Sequence, residues 1–335
     1  MQKSEIQPTV AGLRREQLGR WLNLLGPLLG LVAIFALFAV LAPSGFASAS
    51  NLQTIARQTA IVGAAALGMT LIMIMGGIDL SVGSVVALTT VVIAALLQHA
   101  HLSPALSALL GICAGGLTGL VSGVLITQLR VVPFIVTLGM MLIVRGLAKA
   151  LAHEQKIDAP LTWLQGLLSS LPPERAWMLV PGGVWLVVLL ALLVAGVLRF
   201  TKLGRHVFAV GSNELTARLC GVAVERTKVL TYALGGMFFG VAGLMLFSRL
   251  TVGDPTAAVG LELDVIAAVV IGGGSLSGGE GSVFGSLIGA LIMSVIRSGC
   301  AQMGLENWVQ EIITGGVIVV AVALDRLRHR RAATA

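Results

Sequence analysis

The stretch Val180-Pro-Gly-Gly-Val-Trp-Leu-Val-Val-Leu-Leu-Ala-Leu-Leu-Val-Ala-Gly-Val-Leu-Arg199 decides how the rest of the chain is read. It carries no charge before Arg199, and it has the ~20 residues that a helix needs to cross roughly 30 Å of hydrocarbon at 1.5 Å per residue. Arg199 then opens a basic segment with Lys202, Arg205, Arg218, Arg226 and Lys228. An apolar run that ends in clustered lysine and arginine reads as a transmembrane helix finishing on the cytoplasmic side.

The same reading, carried outward, places helices near 22–42, 55–76, 80–98, 104–128, 133–152, 180–199, 228–249, 262–274, 282–300 and 308–325, about ten transmembrane spans. The eighth is short, so it is expected to tilt, to be broken or to end inside the protein. An even count puts both termini on one side. The basic residues agree: Lys3, Arg14, Arg15 and Arg20, the 199–228 cluster, Arg326, Arg328, Arg330 and Arg331, and Arg130 make 15 of the 22 lysines and arginines. The expected fold is an all-α polytopic membrane protein with N and C termini cytoplasmic. Its divisions are a tail at 1–21, a transmembrane domain at 22–325 and a basic tail at 326–335, with a cytoplasmic loop at 200–229 and an outer segment at 153–180. The apolar run at 22–41 ends near the signal-peptidase-like Phe46-Ala47-Ser48-Ala49, but its length and the spans that follow make it an uncleaved first helix.

Composition excludes several functions. Of 335 residues 56% are hydrophobic and 11% charged, against about 25% charged in soluble domains. The net charge of +7 is not a nucleic-acid surface, because aromatics are only 5% and the basic residues follow topology. Cys113, Cys220 and Cys300 lack the spacing of a disulfide framework or a zinc site. Leu276-Ser277-Gly278-Gly279-Glu280 looks like an ABC ATPase signature, yet the sequence has no Gly-Lys pair and so no phosphate-cradling loop; the pentapeptide reads as a membrane turn. No catalytic constellation, cofactor site or metal site is expected.

Glycine placement is more informative. Gly111, Gly115, Gly119 and Gly123 line one helix face, and Gly236 with Gly240 and Gly285 with Gly289 repeat the spacing; such stripes read as close helix packing. Two breaks, Met75-Gly76-Gly77-Ile78-Asp79-Leu80-Ser81 and Ile271 through Ser282, share the order apolar, Gly-Gly, Leu-Ser, Gly, Ser-Val. This is either an internal duplication or the common chemistry of tight turns. Asp79 and Ser81 sit where the third helix begins and are expected to cap it. Glu262 and Asp264 flank the eighth span, where they either face a path or cap that helix. Gly76, Gly77, Gly272 and Gly273 complete the set of candidate pathway or helix-break residues. The spans hold almost none of the Asn, Gln, Asp, Arg and Trp that grip a sugar, so no tight substrate site is expected. Histidines fall at span ends, which argues against a proton relay.

In the cytoplasmic loop, Asn213 through Gly221 reads as a short helix with Asn213 as cap, Glu214 in the first turn and Gly221 as stop. The outer segment 153–180, with Trp163 and Trp177, reads either as a docking surface or as an amphipathic stretch on the bilayer.

Four ordered motifs then carry a resemblance: Ala66-Leu-Gly-Met-Thr through Gly-Gly-Ile-Asp-Leu-Ser-Val-Gly-Ser84; Pro133-Phe-Ile-Val-Thr-Leu-Gly139 with Arg145-Gly146; Gly204-Arg-His through Ala-Val-Gly-Ser-Asn213; and Glu262-Leu-Asp-Val-Ile-Ala-Ala through Gly-Gly-Gly-Ser-Leu-Ser-Gly-Gly279. Over residues 50–325 the chain resembles the ribose-type sugar ABC permeases. The resemblance implies a non-enzymatic permease in the bacterial inner membrane, importing a ribose-like sugar by alternating access. It implies a second permease copy, a cytoplasmic ABC ATPase that binds the ATP and magnesium, and a periplasmic sugar-binding protein. It also implies that Asn213, Glu214, Ala217, Arg218, Leu219 and Gly221 form the helix that couples to the ATPase. Leu215 and Thr216 depart from the frequent Glu-Ala-Ala of the family there, and Ser298-Gly299 departs from its frequent Asn-Gly. The alternatives are an ABC permease for branched-chain amino acids or nucleosides and, in another class, a secondary transporter or channel.

Overall fold

The computed structural model describes residues 10–42, 45–171 and 173–333; Lys3 and the rest of 1–9 lie outside the described residues. Six α-helices fill the first part of the chain: α1 Val10–Leu41, α2 Ala49–Ile74, α3 Val82–Gln98, α4 Pro104–Leu129, α5 Pro133–Leu151 and α6 Gly182–Phe200. Six more follow: α7 Lys202–Ser212, α8 Glu214–Leu219, α9 Val224–Leu250, α10 Leu261–Ile271, α11 Val283–Gln302 and α12 Asn307–Ala333. Strands β1 (Ile157–Asp158) and β2 (Val252–Gly253) form a two-residue antiparallel ladder. The expected all-α class therefore holds apart from that ladder.

By length and composition six of the helices, α2, α4, α5, α6, α9 and α11, can cross a membrane, and Gly26–Leu41, Val82–Gln98 and Asn307–Ala323 are shorter apolar helices. Each expected span overlaps an observed helix. The eighth does so with 11 residues, or roughly 16 Å at 1.5 Å per residue, about half of a crossing. The segment expected as a single loop with one short helix is instead two helices, α7 and α8. Helix α7 was legible in principle, because Leu203, Val207 and Val210 recur at the i, i+4, i+7 spacing of an amphipathic face among Lys202, Arg205 and His206.

The centre of the bundle is α2, buried at every position from Ala60 to Ile74. A helix apolar on all sides belongs inside others. Its neighbours approach through glycine: a β-carbon at Gly68 would stand 2.6 Å from the Gly235 carbonyl oxygen of α9. The glycine stripe of α4 seats on α9 in the same way, with Gly115 against Gly236 and Gly240, and Gly119 against Tyr232 and Gly236. Gly285 and Gly289 of α11 lie on Gly272 and Ala268. The stripes are thus packing devices, used where dispersion rather than water drives association. On the periphery, Leu142 and Leu147 of α5, Leu189 and Leu193 of α6 and Val319 of α12 are exposed, a surface that suits lipid.

The segment 153–180 folds onto one end of this bundle. Thr162 and Gln165 form a reciprocal cap over a short 3₁₀ turn at Trp163–Leu167. The Leu168 N–H donates to Ser248 Oγ (2.9 Å), which itself donates to the Gln165 carbonyl (3.1 Å). Lys156 pairs with Asp254 at 3.1 Å. Trp163 and Trp177 remain exposed.

Candidate functional site

Both sequence breaks are built by one local device. At the end of α2 the Gly76 and Gly77 N–H groups donate to the Met73 and Ile72 carbonyls; at the end of α10 those of Gly273 and Gly274 donate to Val270 and Val269. Gly76 (φ 83°) and Gly273 (φ 89°) take the left-handed conformation that makes glycine the usual residue one past a helix end. Just beyond, a side-chain oxygen accepts the N–H two residues on: Asp79 from Ser81 (2.8 Å) and Ser275 from Ser277 (3.1 Å). Asp79 also accepts from the Ser81 hydroxyl (2.6 Å). This corrects the expected capping: Ser81 occupies the N-cap position of α3 with no side-chain cap bond, and Asp79 closes the turn ahead of the helix. Asp79 is 1% exposed, and its Oδ2, with Tyr232 Oη and Ser84 Oγ, is buried without a hydrogen-bond partner.

The two breaks meet. The Gly279 N–H donates to the Ile74 carbonyl at 2.8 Å, and a β-carbon at Gly278 would stand 2.9 Å from Gly76 Cα. The end of α7 closes the same point: a β-carbon at Gly211 would collide with the Ile74 oxygen and stand 2.8 Å from the Gly279 nitrogen. Three backbone segments far apart in sequence thus touch with no side chain between them, one residue before Ser212 and two before the α8 cap.

Helix α8 has the expected signals. The Asn213 side chain accepts from the Thr216 N–H (2.8 Å), Gly221 (φ 82°) ends the turn, and Ala217 is buried. Glu214 and Arg218 are each about half exposed and pair with the start of α9: Lys228 meets Glu214 at 2.7 Å, Arg218 meets Glu225 at 2.6 Å, and Glu214 and Arg218 lie 3.6 Å apart. The hydrogen bond to Glu225 holds the Arg218 guanidinium above its ordinary pKa. Leu215 at 68% and Leu219 at 81% exposure add apolar surface beside these charged groups.

A second polar region lies around the start of α10. From β2 the chain does not stay at the end of the bundle. Gly253 packs on Val91, the Asp254 N–H donates to Thr90 Oγ1 (3.2 Å), and Ala258 and Glu262 reach Gly83. Val91 to Gly83 is eight residues of α3, roughly 12 Å at 1.5 Å each, so the stretch 253–258 descends into the bundle and α10 begins at depth. Arg145 of α5 satisfies this non-helical backbone by donating to the carbonyls of Pro255 (3.0 Å) and Ala257 (2.6 Å). Gly260 (φ 81°) is the N-cap of α10, with no side-chain cap bond, so neither Glu262 nor Asp264 caps that helix. Asp264, 1% exposed, pairs through Oδ2 with Arg297 of α11.

A cavity of about 260 Å³ opens here, and Gln58, Arg249, Asp264, Ser294 and Arg297 supply its polar wall. Gln58 Oε1 and Asp264 Oδ1 are shut from solvent without a partner. Of the eight candidate pathway or break residues, only Asp264 lines this cavity. Gly76 belongs to the backbone junction; Gly77 abuts Tyr232, Gly272 packs on Gly285, and Gly273 has open space around it. Gln58, Arg249 and Arg297 were missed because none belongs to a motif within its apolar run; counting polar and ionisable residues per span would have flagged them. Among the described residues no group of three or more His, Cys, Asp or Glu is placed to hold a metal ion.

The model of the family described as branched-chain amino acid transport system / permease component matches residues 51–322. The chain is 37% identical over 321 residues to the ribose import permease protein of Escherichia coli (strain K12), covering 96% of this chain and 99% of that one. It is 34% identical over 322 residues to the L-arabinose ABC transporter permease protein of Azospirillum brasilense, covering 93% and 91%. It is 37% identical over 312 residues to the fructose import permease protein of Rhizobium meliloti, covering 92% and 86%. No solved structure matches the chain.

Proposed function

The chain belongs to the ribose-type ABC permeases within that transport-permease family, and from this premise we propose that it is the membrane subunit of an ATP-driven importer of a monosaccharide. The observation that carries the reading is the near full-length similarity to permeases named for ribose, L-arabinose and fructose. The family's permeases are not themselves enzymes; a separate ATPase subunit hydrolyses the nucleotide.

In the proposed arrangement both termini and the loop holding α7 and α8 face the cytoplasm of a bacterial cell, and the chain sits in its inner membrane, crossing it about ten times. The basic segments support that orientation. Helix α8 is the ATPase-coupling element, docking through Leu215 and Leu219 while Glu214 and Arg218 fasten it to α9. A periplasmic sugar-binding protein docks over 153–180, whose fastening to α9 and β2 gives it a defined shape. A second permease copy completes the passage. When the ATPase closes, α8 and α7 move together, and the Gly211 junction passes that movement to both breaks. Alternating access follows from rocking of α2, α3, α10 and α11 about glycine turns that have no side chains to unlock.

The test is reconstitution in proteoliposomes with ATPase and binding-protein partners. A sugar-loaded binding protein should stimulate ATP hydrolysis and drive sugar inward. Failure of every pentose and hexose, with stimulation by a branched-chain amino acid or nucleoside, would move the substrate class. Uptake that needs no ATP and collapses with the proton gradient would move the chain to the secondary transporters.

A further inference from the structure

We infer that the cavity at the broken start of α10 is a transit site for one neutral monosaccharide, held between Gln58 of α2, Arg249 of α9, Asp264 of α10 and Arg297 of α11. This rests on the importer reading and adds a substrate site to a chain whose sequence promised none.

The first ground is cost. Charged side chains are rare in the apolar part of a membrane domain, and they are retained where they face a water-filled path or one another. Three ionisable groups from three helices converge here, and only one pair, Asp264 with Arg297, forms an ion pair among them. Arg249, in the last turn of α9, stands exposed beside that pair, open to water or a ligand.

The second ground is unmet hydrogen bonding. Gln58 Oε1 and Asp264 Oδ1 are acceptors without a donor on side chains of the cavity wall; each is covered here, so a ligand reaches it only when the side chain turns into the cavity. A fully ionised carboxylate or phosphate offers such an acceptor no hydrogen, whereas a sugar hydroxyl donates and accepts at once. The arginine N–H groups supply the complementary donors for other hydroxyls of the same ring.

The third ground is form. About 260 Å³ is several times the ~30 Å³ that one water occupies, room for a pentose or hexose. Unwound backbone and a half-length helix beginning at depth are the elements from which membrane transporters build substrate sites. Here the 253–258 descent brings Ala258 and Asp264 to the cavity wall.

The experiment uses the reconstituted importer with D-ribose, L-arabinose and D-fructose as probes, and compares Gln58→Leu, Gln58→Asn and the charge-balanced pair Asp264→Asn with Arg297→Gln. Uptake and binding-protein-stimulated ATP hydrolysis are read on the same vesicles. Expected is at least a tenfold fall in uptake for Gln58→Leu and for the pair, with more than half of the stimulated hydrolysis retained, and partial recovery in Gln58→Asn. Hydrolysis and uptake falling together, or neither falling, overturns the site while the importer reading stands. A wild-type chain that takes up no sugar overturns both. A second measurement does not depend on turnover. With Cys113, Cys220 and Cys300 replaced by alanine, Ser294→Cys should react with a small charged thiol reagent, and millimolar sugar during ATP-driven cycling should slow that reaction. A cysteine there that never reacts overturns the site.

Discussion

Gly211→Ala tests the backbone junction most directly. The added β-carbon would stand 2.8 Å from the Gly279 nitrogen and closer still to the Ile74 oxygen, against the ~3.5 Å at which non-bonded heavy atoms rest. Every atom it meets is backbone, so no side chain can rotate away. The end of α7 must retreat from the breaks by well over half an ångström, and the Gly279 to Ile74 hydrogen bond lies in the line of that movement. Overpacking of this kind costs about 1–3 kcal/mol, and a lost backbone hydrogen bond about 0.5–1.5 kcal/mol. The gain from alanine over glycine in a helix, about 0.5–1 kcal/mol, offsets a part. A net loss of about 1–3 kcal/mol lowers Tm by roughly 1–4 °C for a chain of this length at ~2.1 cal/mol/K of unfolding entropy per residue. Gly139→Ala and Gly196→Ala are the controls: both are helical with nothing within 4 Å of the new atom, so Tm should hold or rise. Thermal unfolding of the purified protein in detergent gives the comparison, and uptake in proteoliposomes should fall more than fivefold for Gly211→Ala alone. Equal Tm and equal uptake in Gly211→Ala and Gly139→Ala would refute the junction as a mechanical contact.

Three further outcomes are expected. Leu215→Asp with Leu219→Asp should abolish co-purification of the ATPase with Tm unchanged, because both side chains are exposed and exposed substitutions usually alter stability by less than ~0.5 kcal/mol. Glu214→Lys with Arg218→Glu sets lysine against Lys228 and glutamate against Glu225; uptake should vanish while the protein stays in the membrane, and adding Lys228→Glu and Glu225→Arg should restore it. Arg145→Leu removes the donor to Pro255 and Ala257; at about 1.5–3 kcal/mol per bond to a charged group the loss should lower Tm more than any α8 variant does, with Arg145→Lys intermediate when both are measured by the same unfolding assay.

The helices were legible because the bilayer allows few solutions: a run such as 180–199 has to be a helix if it is to bury its own backbone in hydrocarbon. The α8 cap was legible too, since Asn213, Glu214 and Gly221 act through bonds a few residues long. The 253–258 descent was not. Val252-Gly-Asp-Pro-Thr-Ala-Ala-Val-Gly260 has the composition of any surface loop, and what draws it inward is Thr90 and Arg145, more than a hundred residues away. The role of Asp79 was half legible: that it would answer a helix-start N–H is local chemistry, but which N–H depended on the turn closing one residue before the helix. The polar cavity was invisible for a different reason. Gln58, Arg249, Asp264 and Arg297 come from four helices, and no single helix contains more than one of them.

Helix α10 ties these observations together. Its first turn holds Asp264 against Arg297 at the cavity, and its last residue runs into the break whose Gly279 bonds Ile74 beside Gly211. A full-length span would have separated these ends by the thickness of the hydrocarbon. At 11 residues, roughly 16 Å, a tilt at the junction displaces the cavity wall with little intervening structure to absorb it. Beyond that ion pair its contacts with α11 run through Gly285 and Gly289, where the two backbones can slide with no side chains between them. Shortness, read from the sequence as an uncertain span, is therefore what brings the candidate substrate groups close to the Gly211 junction at the end of α7. Filling Gly289 with alanine should stiffen that sliding contact, because its β-carbon would press on the Ala268 backbone. Uptake by Gly289→Ala should fall more steeply than its binding of the ATPase, and a parallel fall in both would count against α10 as the moving element.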